Sequence, residues 1–250
     1  MNVLIIGANG YLGPHVVEAL APHYHLRITD IKPAPSEVRT KYSGHEFRDV
    51  DATSAEQVLD AAKGMDAILN LSVVRPHRKL AFYVNMLGCY NIMRAAVQHG
   101  VRRVINTGPH YTIAGPSYEW FDHGIGPDVP TQSGTYLYSL TKSLGQEVCR
   151  AFTENKANDV YVLDFLFYGF CFASEVKRGV GAGPFTVEWS DAGESFRRGL
   201  EVDLAKLPSK CEVFYIFANS PHGIFDNEKT ERVLGFKPKH DIMDLWRKKL

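Results

Sequence analysis

The sequence predicts an α/β protein built on a parallel sheet that is wound in both directions. Strand-like and helix-like segments alternate over the first two-thirds of the chain, which is typical of repeated strand–helix units. A glycine-rich turn separates the first strand from the first helix. The chain has 250 residues, of which 45% are hydrophobic, and this is enough for one large core.

The first strand and helix carry the most specific signal in the chain. Residues 1–6 are an apolar, β-rich run, and a helical pattern follows at 15–20. Between them, Gly7, Gly10 and Gly13 stand at every third position. In a Rossmann-type fold such glycines allow a tight turn, a close approach of the backbone to a pyrophosphate, and close packing of helix on strand. Because the free amides of a helix N-terminus attract phosphate, we predict a dinucleotide site.

The later units follow the same alternation. Ser54, with Gln57 three residues after it, predicts the start of a helix, and Gly100 predicts the end of another. The predicted strands are 26–30, 45–50, 65–71, 102–107 and 159–167, and the predicted helices among them are 54–63, 79–99 and 134–156. We expect these units to form a Rossmann-type doubly wound sheet with its ligand at the carboxyl ends of the strands.

We divide the chain into a dinucleotide-binding Rossmann core, 1–167, and a smaller C-terminal portion, 168–250. The regular pattern is lost after the sixth strand. The C-terminal portion is predicted to contain a helix at 190–204, a strand at 213–218 and short helices at 227–234 and 241–249. We expect this portion to pack on the same sheet and to cover the substrate.

Composition excludes several classes of protein. The formal net charge is zero, with 28 basic and 28 acidic residues, so we expect neither a nucleic-acid nor a membrane partner. We expect no signal peptide and no bilayer-spanning segment. The four cysteines lack disulfide or metal-binding spacing. They predict reduced thiols in a cytoplasmic protein without a metal site.

The residue that ends the second predicted strand indicates which dinucleotide is bound. Asp30 stands close to the usual distance beyond the glycine turn. A carboxylate there accepts hydrogen bonds from both ribose hydroxyls of the adenosine half and repels a 2′-phosphate, so we predict NAD rather than NADP. Lys32 would offset part of that repulsion. Asp51, after the third strand, either contacts the adenine edge or lies beside a helix cap in a loop.

A tyrosine and a lysine stand one helical turn apart in the predicted helix at 134–156. Tyr138 and Lys142 are four positions apart, which puts both on one face of a helix. A free tyrosine has a pKa near ~10, and a nearby ammonium lowers it. Such a pair can move a proton to or from a substrate hydroxyl while a hydride passes to nicotinamide. Tyr136 faces another side of the helix.

Together these motifs resemble the extended-type short-chain dehydrogenases/reductases, the group of NAD-dependent sugar epimerases and dehydratases. The resemblance rests on the glycine turn, Asp30, Asn70-Leu71-Ser72, Asn85-x-x-Gly88, Tyr138-x-x-x-Lys142 and Leu234-Gly235-Phe236-Lys237-Pro238. Within the group, the chain looks most like the uronate dehydrogenases, through Thr112-Ile113, 126–130 and Asp226-Asn227. Those enzymes oxidise the anomeric carbon of a hexuronic acid to a lactone and pass the hydride to NAD.

The resemblance implies a role for each matched residue. Tyr138 would be the acid/base, and Lys142 would hold the nicotinamide ribose and tune Tyr138. The cofactor-binding residues would be Gly7, Asn9, Gly10, Tyr11, Leu12, Gly13, Asp30, Asp51, Leu71, Ser72, Asn85, Tyr138 and Lys142. Many members dimerise through their two long helices, so a homodimer through 79–99 and 134–156 is expected.

The sequence departs from this group at the hydroxyl that usually holds the reacting oxygen. Depending on the alignment, the usual serine or threonine is replaced by Pro109 or His110. An oxyanion-type donor is worth about 3 kcal/mol, so its loss would slow a dehydrogenase without removing cofactor binding. We favour His110 as the substitute catalytic donor. The alternatives are that Thr112 or Thr107 donates instead, or that the site has no such donor.

The substrate is expected to contact residues near this departure. His110 and Tyr111 follow the fifth strand, and Arg75 lies in the loop after the fourth. The Arg75 guanidinium would either clamp a carboxylate or phosphate or lie in solvent. Asp164 also stands where many relatives have arginine, and with Arg75 it suggests a substrate other than a simple hexuronate.

Three functions are consistent with these residues. The leading one is an NAD-dependent oxidoreductase that acts on a hydroxyl-bearing carbon of a sugar or sugar acid. The second is a sugar-nucleotide epimerase or dehydratase with tightly bound NAD. The third is a non-catalytic NAD-binding sensor, which the missing hydroxyl suggests and the presence of both Tyr138 and Lys142 opposes.

Overall fold

The computed structural model describes residues 1–114, 124–178, 185–218, 223–240 and 242. Its strands are β1 (Asn2–Ile6), β2 (His25–Asp30), β3 (Glu46–Asp49), β4 (Ala67–Asn70), β5 (Arg103–Pro109), β6 (Tyr161–Phe167), β7 (Gly169–Cys171), β8 (Thr186–Glu188) and β9 (Cys211–Tyr215). Its helices are α1 (Gly13–Leu20), α2 (Ser36–Lys41), α3 (Ala55–Ala62), α4 (Arg78–Phe82), α5 (Gly88–His99), α6 (Tyr111–Ala114), α7 (Leu137–Glu154), α8 (Ala173–Arg178), α9 (Trp189–Glu201) and α10 (Glu228–Leu234).

Within the described residues, seven parallel strands form one sheet in the order β3-β2-β1-β4-β5-β6-β9. The winding reverses between β1 and β4, where the chain changes the direction in which it adds strands. A crevice forms at the carboxyl ends of the strands at such a reversal. The predicted doubly wound parallel sheet is therefore confirmed. The short strands β7 and β8 pair separately.

The core lies in two layers, one on each face of this sheet. Along β1, Val3 and Ile5 pack in the layer that contains the apolar side chains of α1 and α9. Leu4 and Ile6 pack in the other layer, with α3, α5 and α7 side chains. Both faces are covered, which explains why β1 carries apolar side chains on both of its faces.

The two long predicted helices differ from expectation in their boundaries. The segment 79–99 is not one α-helix, because a π-helical turn at Tyr83–Leu87 joins α4 to α5. The segment 134–156 begins only at Leu137. Gly134 has a φ of +62°, in the left-handed region, so it cannot belong to the first helical turn. The helix predicted at 241–249 lies outside the described residues apart from Ile242.

The C-terminal portion contributes to the same layers as the first part. β9 extends the sheet next to β6, and it lies two to three residues before the strand predicted at 213–218. α9 packs on α1, where a Cβ on Gly193 would lie 2.5 Å from the carbonyl oxygen of His15. The division at 167 stays a prediction. Among the described helices, none has the length and apolar character needed to cross a bilayer.

Candidate active site

The glycine turn lies at the point where the sheet reverses. Gly7 has a φ of +89°, and a Cβ on it would lie 2.7 Å from the backbone nitrogen of Ser72. A Cβ on Gly13 would lie 2.0 Å from the carbonyl oxygen of Ala8. Leu12, before α1, makes no side-chain cap. The Gly13 amide donates to the Gly10 carbonyl oxygen at 3.2 Å and Pro14 has no N–H, so a ligand would use the remaining amides of the turn and the helix start. The turn therefore has the close backbone packing and the donors that a pyrophosphate requires.

The carboxylate of Asp30 is fixed beside this turn. Its Oδ2 accepts a hydrogen bond from the backbone nitrogen of Asn9 at 2.9 Å. The Asn9 side chain donates to the carbonyl oxygen of Lys32 at 2.8 Å and so braces the loop after β2. Asp30 thus lies at the end of β2 next to the glycine turn, where the adenosine ribose was predicted. Tyr11, at the tip of the turn, is 86% exposed.

Asp51 lies in the loop before α3. Its carboxylate accepts a hydrogen bond from the backbone nitrogen of Thr53 at 2.8 Å. Its own backbone nitrogen donates to the side chain of Gln57, the first-turn residue of α3. These bonds match the helix-cap alternative, and the contact with adenine stays a prediction.

A cleft runs from the glycine turn over the carboxyl ends of β1, β4, β5 and β6. Its walls come from residues on both sides of the point where the winding reverses. The residues that line it are Gly7, Gly10, Tyr11, Leu12, Gly13, Leu71, Val73, Arg75, Thr107, Gly108, Tyr111, Tyr138, Lys142, Phe167, Tyr168 and Phe170. The structure thus brings the glycine turn and the predicted Tyr–Lys pair to one opening.

Lys142 is buried at the base of this cleft. Its ammonium donates a hydrogen bond to the carbonyl oxygen of Ser72 at 3.0 Å. Burial lowers the pKa of Lys142 to about 8, because a charged group loses its hydration there. Lys142 and Ser72 together fix the end of β4 against α7.

Tyr138 lies one turn before Lys142 and has a different cation beside it. The guanidinium of Arg75 lies 4.9 Å from the centre of the Tyr138 ring. Burial raises the pKa of Tyr138, and the charge of Arg75 and its hydrogen bond to the phenol oppose that rise. From the helical spacing we expected the Lys142 ammonium to lower the pKa of Tyr138. In the structure this effect comes from Arg75.

The loop that carries Arg75 is held by Asn85. The Asn85 side chain accepts from the backbone nitrogen of Val74 at 3.0 Å and donates to the Val74 carbonyl oxygen at 2.8 Å. It also donates to the hydroxyl of Thr141 on α7 at 2.9 Å. Asn85 is 2% exposed, so its amide connects the loop to α7 instead of facing the cleft.

Two of the predicted substitute donors point away from the cleft. Thr112 is fully buried, and its hydroxyl donates to the carbonyl oxygen of Pro109 at 3.1 Å. His110 packs among aromatic rings, 4.6 Å from Tyr168 and 5.4 Å from Phe225 between ring centres. Burial lowers its pKa to about 4, and its Nδ1 makes no hydrogen bond with a described residue. The described residues around the cleft include neither side chain.

Of the two neighbouring residues predicted to contact the substrate, Tyr111 faces the cleft and His110 does not. Tyr111 lines the cleft, with its ring centre 5.9 Å from that of Tyr138. Burial raises the pKa of Tyr111, so its phenol stays a hydrogen-bond donor at neutral pH. Thr107 also reaches the cleft, but its hydroxyl donates to the carbonyl oxygen of Asn70 at 2.8 Å.

Asp164, which had been connected with the substrate, is not at the cleft surface. It lies on β6, is 2% exposed, and accepts a hydrogen bond from Asn106 at 3.0 Å. Sequence analysis also missed Phe167, Tyr168 and Phe170 as cleft residues. Their position after the sixth strand was a usable signal, because parallel strands end at one edge of a sheet.

Comparisons with known proteins agree with this geometry. Residues 3–170 match the NAD dependent epimerase/dehydratase family. A uronate dehydrogenase of Pseudomonas syringae pv. tomato is 32% identical over 152 residues, which are 59% of this chain and 52% of the relative. The chain thus spans about half the length of that relative.

Solved structures show the same fold. A glucuronic acid dehydrogenase from Chromohalobacter salexigens superposes with a TM-score of 0.77 at 22% identity, over 98% of this chain and 86% of that one. The structure of MoeE5 in complex with UDP-glucuronic acid and NAD gives a TM-score of 0.73 at 18% identity, with both chains fully covered.

The family match confirms three expectations from sequence: the resemblance to the epimerase/dehydratase group, an NAD-dependent class of enzyme, and NAD as the cofactor. The match covers the glycine turn, Asp30, Tyr138 and Lys142. The chain belongs to the NAD dependent epimerase/dehydratase family.

Proposed function

We propose that this protein is an NAD-dependent dehydrogenase that oxidises a hydroxyl-bearing carbon of a sugar acid. The observation that carries the proposal is the meeting of Tyr138, Lys142 and Arg75 in the cleft that begins at the glycine turn. The similarity to uronate dehydrogenases over the N-terminal part of the chain supports a hexuronate-like substrate.

The residues around the turn fit the cofactor. Side chains at Gly7 and Gly13 would collide with the backbone. Phosphate would bind the amides of the turn and the helix start other than those of Gly10 and Gly13, which donate within the turn. Asp30 would accept the ribose hydroxyls, and Leu71 and Ser72 would border the path to the nicotinamide. When bound, NAD accepts the hydride. Lys142 would hold the nicotinamide ribose, with its ammonium oriented by the Ser72 carbonyl oxygen.

Tyr138 is the proposed acid/base. During oxidation its phenolate takes the proton of the substrate hydroxyl, and the C–H bond of the same carbon breaks to give the hydride. Arg75 favours the phenolate, because a positive charge stabilises the deprotonated phenol. Its guanidinium has five donors, so it can also bind a substrate carboxylate.

Tyr111 is the proposed donor to the reacting oxygen. It lines the cleft beside Tyr138, whereas Thr112 is committed to Pro109 and His110 is packed among aromatic rings. A tyrosine in place of the usual serine or threonine would restore the donor that the sequence lacks after β5.

Replacing Tyr138 by phenylalanine tests the function. We expect Tyr138→Phe to lower the rate of NADH formation from NAD and a hexuronate by at least a hundredfold, with NAD affinity within a few fold. Tyr136→Phe is the matched control, because Tyr136 is 58% exposed and two residues away. A wild-type rate in Tyr138→Phe would remove this residue from the mechanism.

A substrate panel separates the competing functions. Sugar acids, free sugars and nucleotide sugars are each incubated with NAD, and absorbance and products are measured. Net NADH supports the dehydrogenase. Conversion of a nucleotide sugar without net NADH would indicate an epimerase or dehydratase, and NAD binding without any conversion would indicate a sensor.

We further propose a homodimer through helices 79–99 and 134–156. Large apolar side chains are exposed on the first of these segments, and Tyr90 there contacts Phe152 of α7 at 5.5 Å between ring centres. The exposed side chains are Leu80, Tyr83, Tyr90 and Val97. Their burial against a second copy would explain an apolar face on the surface. The free thiols at all four cysteines fit a cytoplasmic location.

A further inference from the structure

Three polar residues lie side by side across the centre of the sheet. Asn70 on β4 is in register with Asn106 on β5, and Asn106 is in register with Asp164 on β6. All three are at most 2% exposed. Central strands of a parallel sheet are normally apolar on both faces, so a polar row here needs a reason.

Hydrogen bonds connect this row in one direction. Asn70 Nδ2 donates to Asn106 Oδ1 at 2.8 Å, and Asn106 Nδ2 donates to Asp164 Oδ1 at 3.0 Å. The hydroxyl of Ser72 donates to Asn70 Oδ1 at 2.6 Å. An ionised carboxylate can only accept hydrogen bonds. Asp164 therefore fixes the orientation of both amides, and the amides fix Ser72.

The other end of the row reaches the base of the cleft. The carbonyl oxygen of Ser72 accepts the hydrogen bond of the Lys142 ammonium at 3.0 Å. A chain of bonds thus joins a buried carboxyl on β6 to a buried ammonium on α7. Charges in a protein interior are costly unless an opposite charge and hydrogen bonds compensate them.

We propose that Asp164 is a positioning residue of this site, whose carboxylate orients Ser72 through Asn106 and Asn70 and balances the charge of the Lys142 ammonium. The role assigned to Lys142 rests on the proposed function. Asp164 does not touch the reacting atoms. It acts on Ser72 through hydrogen bonds and on Lys142 through its charge.

The charges around both groups are consistent with this role. Burial lowers the pKa of Lys142. The charges of Cys89, then Asp164, then Cys149 raise it, and the charge of Arg75 lowers it. Burial also raises the pKa of Asp164.

Three neighbours oppose that rise in the pKa of Asp164: Gln146, Lys142 and Asn106. On its far side, Asp164 borders a cavity of about 440 Å³ between α7 and the loop at 127–131.

The pKa of Lys142 itself provides the test. It is measured by NMR on protein with ¹³Cε-labelled lysine, without substrate or cofactor, and Lys142→Met assigns the signal. We expect Asp164→Asn to lower the Lys142 pKa by at least about half a pH unit, because the ammonium loses a nearby negative charge. The pH above which NAD affinity falls should shift down equally.

Glu212→Gln is the matched control. Glu212 is also a buried acid, on the neighbouring strand β9, and it forms an ion pair with Lys229 away from the cleft. We expect the Lys142 pKa in this variant to equal that of the unmodified protein. An unchanged Lys142 pKa in folded Asp164→Asn would overturn the proposal.

A measurement on the unmodified chain covers the case in which Asp164→Asn does not fold. The ¹³Cγ shift of Asp164 reports its ionisation, and a protonated Asp164 at pH 7 would also overturn the proposal. Failure of every sugar acid as a substrate, with the Lys142 pKa still dependent on Asp164, would count against the proposed function alone.

Discussion

Arg75 shows how one residue outside the predicted Tyr–Lys pair changes the chemistry of the site. Sequence analysis gave it either a substrate role or a place in solvent. In the structure Arg75 is exposed, its guanidinium lies 4.9 Å from the centre of the Tyr138 ring, and its charge favours the phenolate. The cleft therefore holds two cations with separate partners: Arg75 on the phenol and Lys142 on the Ser72 carbonyl oxygen.

Removal of the Arg75 charge should make Tyr138 a poorer base. We expect Arg75→Met to raise the pKa of Tyr138, because the phenolate loses its cation. At fixed pH the oxidation rate should fall roughly tenfold for each unit of that rise, and the rising limb of the pH–rate profile should move to higher pH. Arg78→Met, in the exposed first turn of α4, is the control. A profile unchanged by Arg75→Met would contradict this role.

His110 should make the protein sensitive to acid. The pKa of His110 is about 4 in the folded protein and near 6.5 in the unfolded chain, so only the unfolded chain gains a proton as pH first falls below 6.5. The stability that the neutral His110 ring contributes is thus fully present above pH 6.5. It is lost progressively as the pH falls to about 4. The loss is at most roughly 3 kcal/mol.

Replacement of His110 by phenylalanine should remove that loss, because phenylalanine does not titrate and suits the aromatic surroundings. Denaturant unfolding at pH 7 and pH 5 measures the difference, with exposed His23→Phe as the control. An acid-induced fall in His110→Phe equal to that of the unmodified protein would show that the ring is protonated in the fold.

At the scale of elements, the site depends on how closely α7 approaches the π-helical turn at Tyr83–Leu87. A Cβ on Gly145 of α7 would lie 2.5 Å from the carbonyl oxygen of Asn85. Asn85, in that turn, holds both Val74 and Thr141. The contact between these two elements therefore sets the position of the loop that carries Arg75.

We expect Gly145→Ala to separate α7 from the turn. Overpacking of this kind costs about 1–3 kcal/mol of stability, although alanine favours the helix itself. Because the Arg75 loop moves with Asn85, kcat should fall more than NAD affinity. Thermal unfolding and steady-state kinetics measure both effects. Gly126→Ala, where an added Cβ meets no atom within 4 Å, should be neutral. Wild-type stability in Gly145→Ala would show that the two elements can move apart freely.

At the scale of the whole molecule, α4 and α5 expose large apolar side chains to water. Packing within a single chain does not explain this exposure. Tyr90 and Val97 lie seven positions apart on α5 and are 43% and 37% exposed. Side chains seven apart lie on one face of a helix. A second copy of the chain, packed on this face, would remove it from water.

A charge on this face should therefore break the proposed dimer. We expect sedimentation equilibrium to give twice the 28.0 kDa chain mass for the unmodified protein and the single mass for Tyr90→Lys. A buried lysine without a partner disrupts an apolar interface. Ile31→Lys is the control, because Ile31 is 62% exposed after β2 and lies outside both segments of the proposed interface. A monomeric unmodified protein at micromolar concentration would rule the dimer out.

Local signals in the sequence determined the fold class and the cofactor. Gly7 and Gly13 are required by the backbone itself, because one has a positive φ and the other has no room for a Cβ. The parallel sheet with helices on both faces followed from repeated strand–helix units, and the family match bears out the cofactor. The helical period alone predicted that Tyr138 and Lys142 lie on one face of a helix.

Tertiary structure alone decided which groups face these residues. Arg75 meets Tyr138, and Asp164 meets Asn106, across long separations in sequence, and His110 turns into an aromatic cluster one residue from a cleft tyrosine. Strand register and helix docking decide which of these residues meet. Neither can be recognised from the periodicity of the sequence. Short-range backbone preferences are therefore readable from sequence, whereas the electrostatic surroundings of a side chain arise only when distant elements pack together.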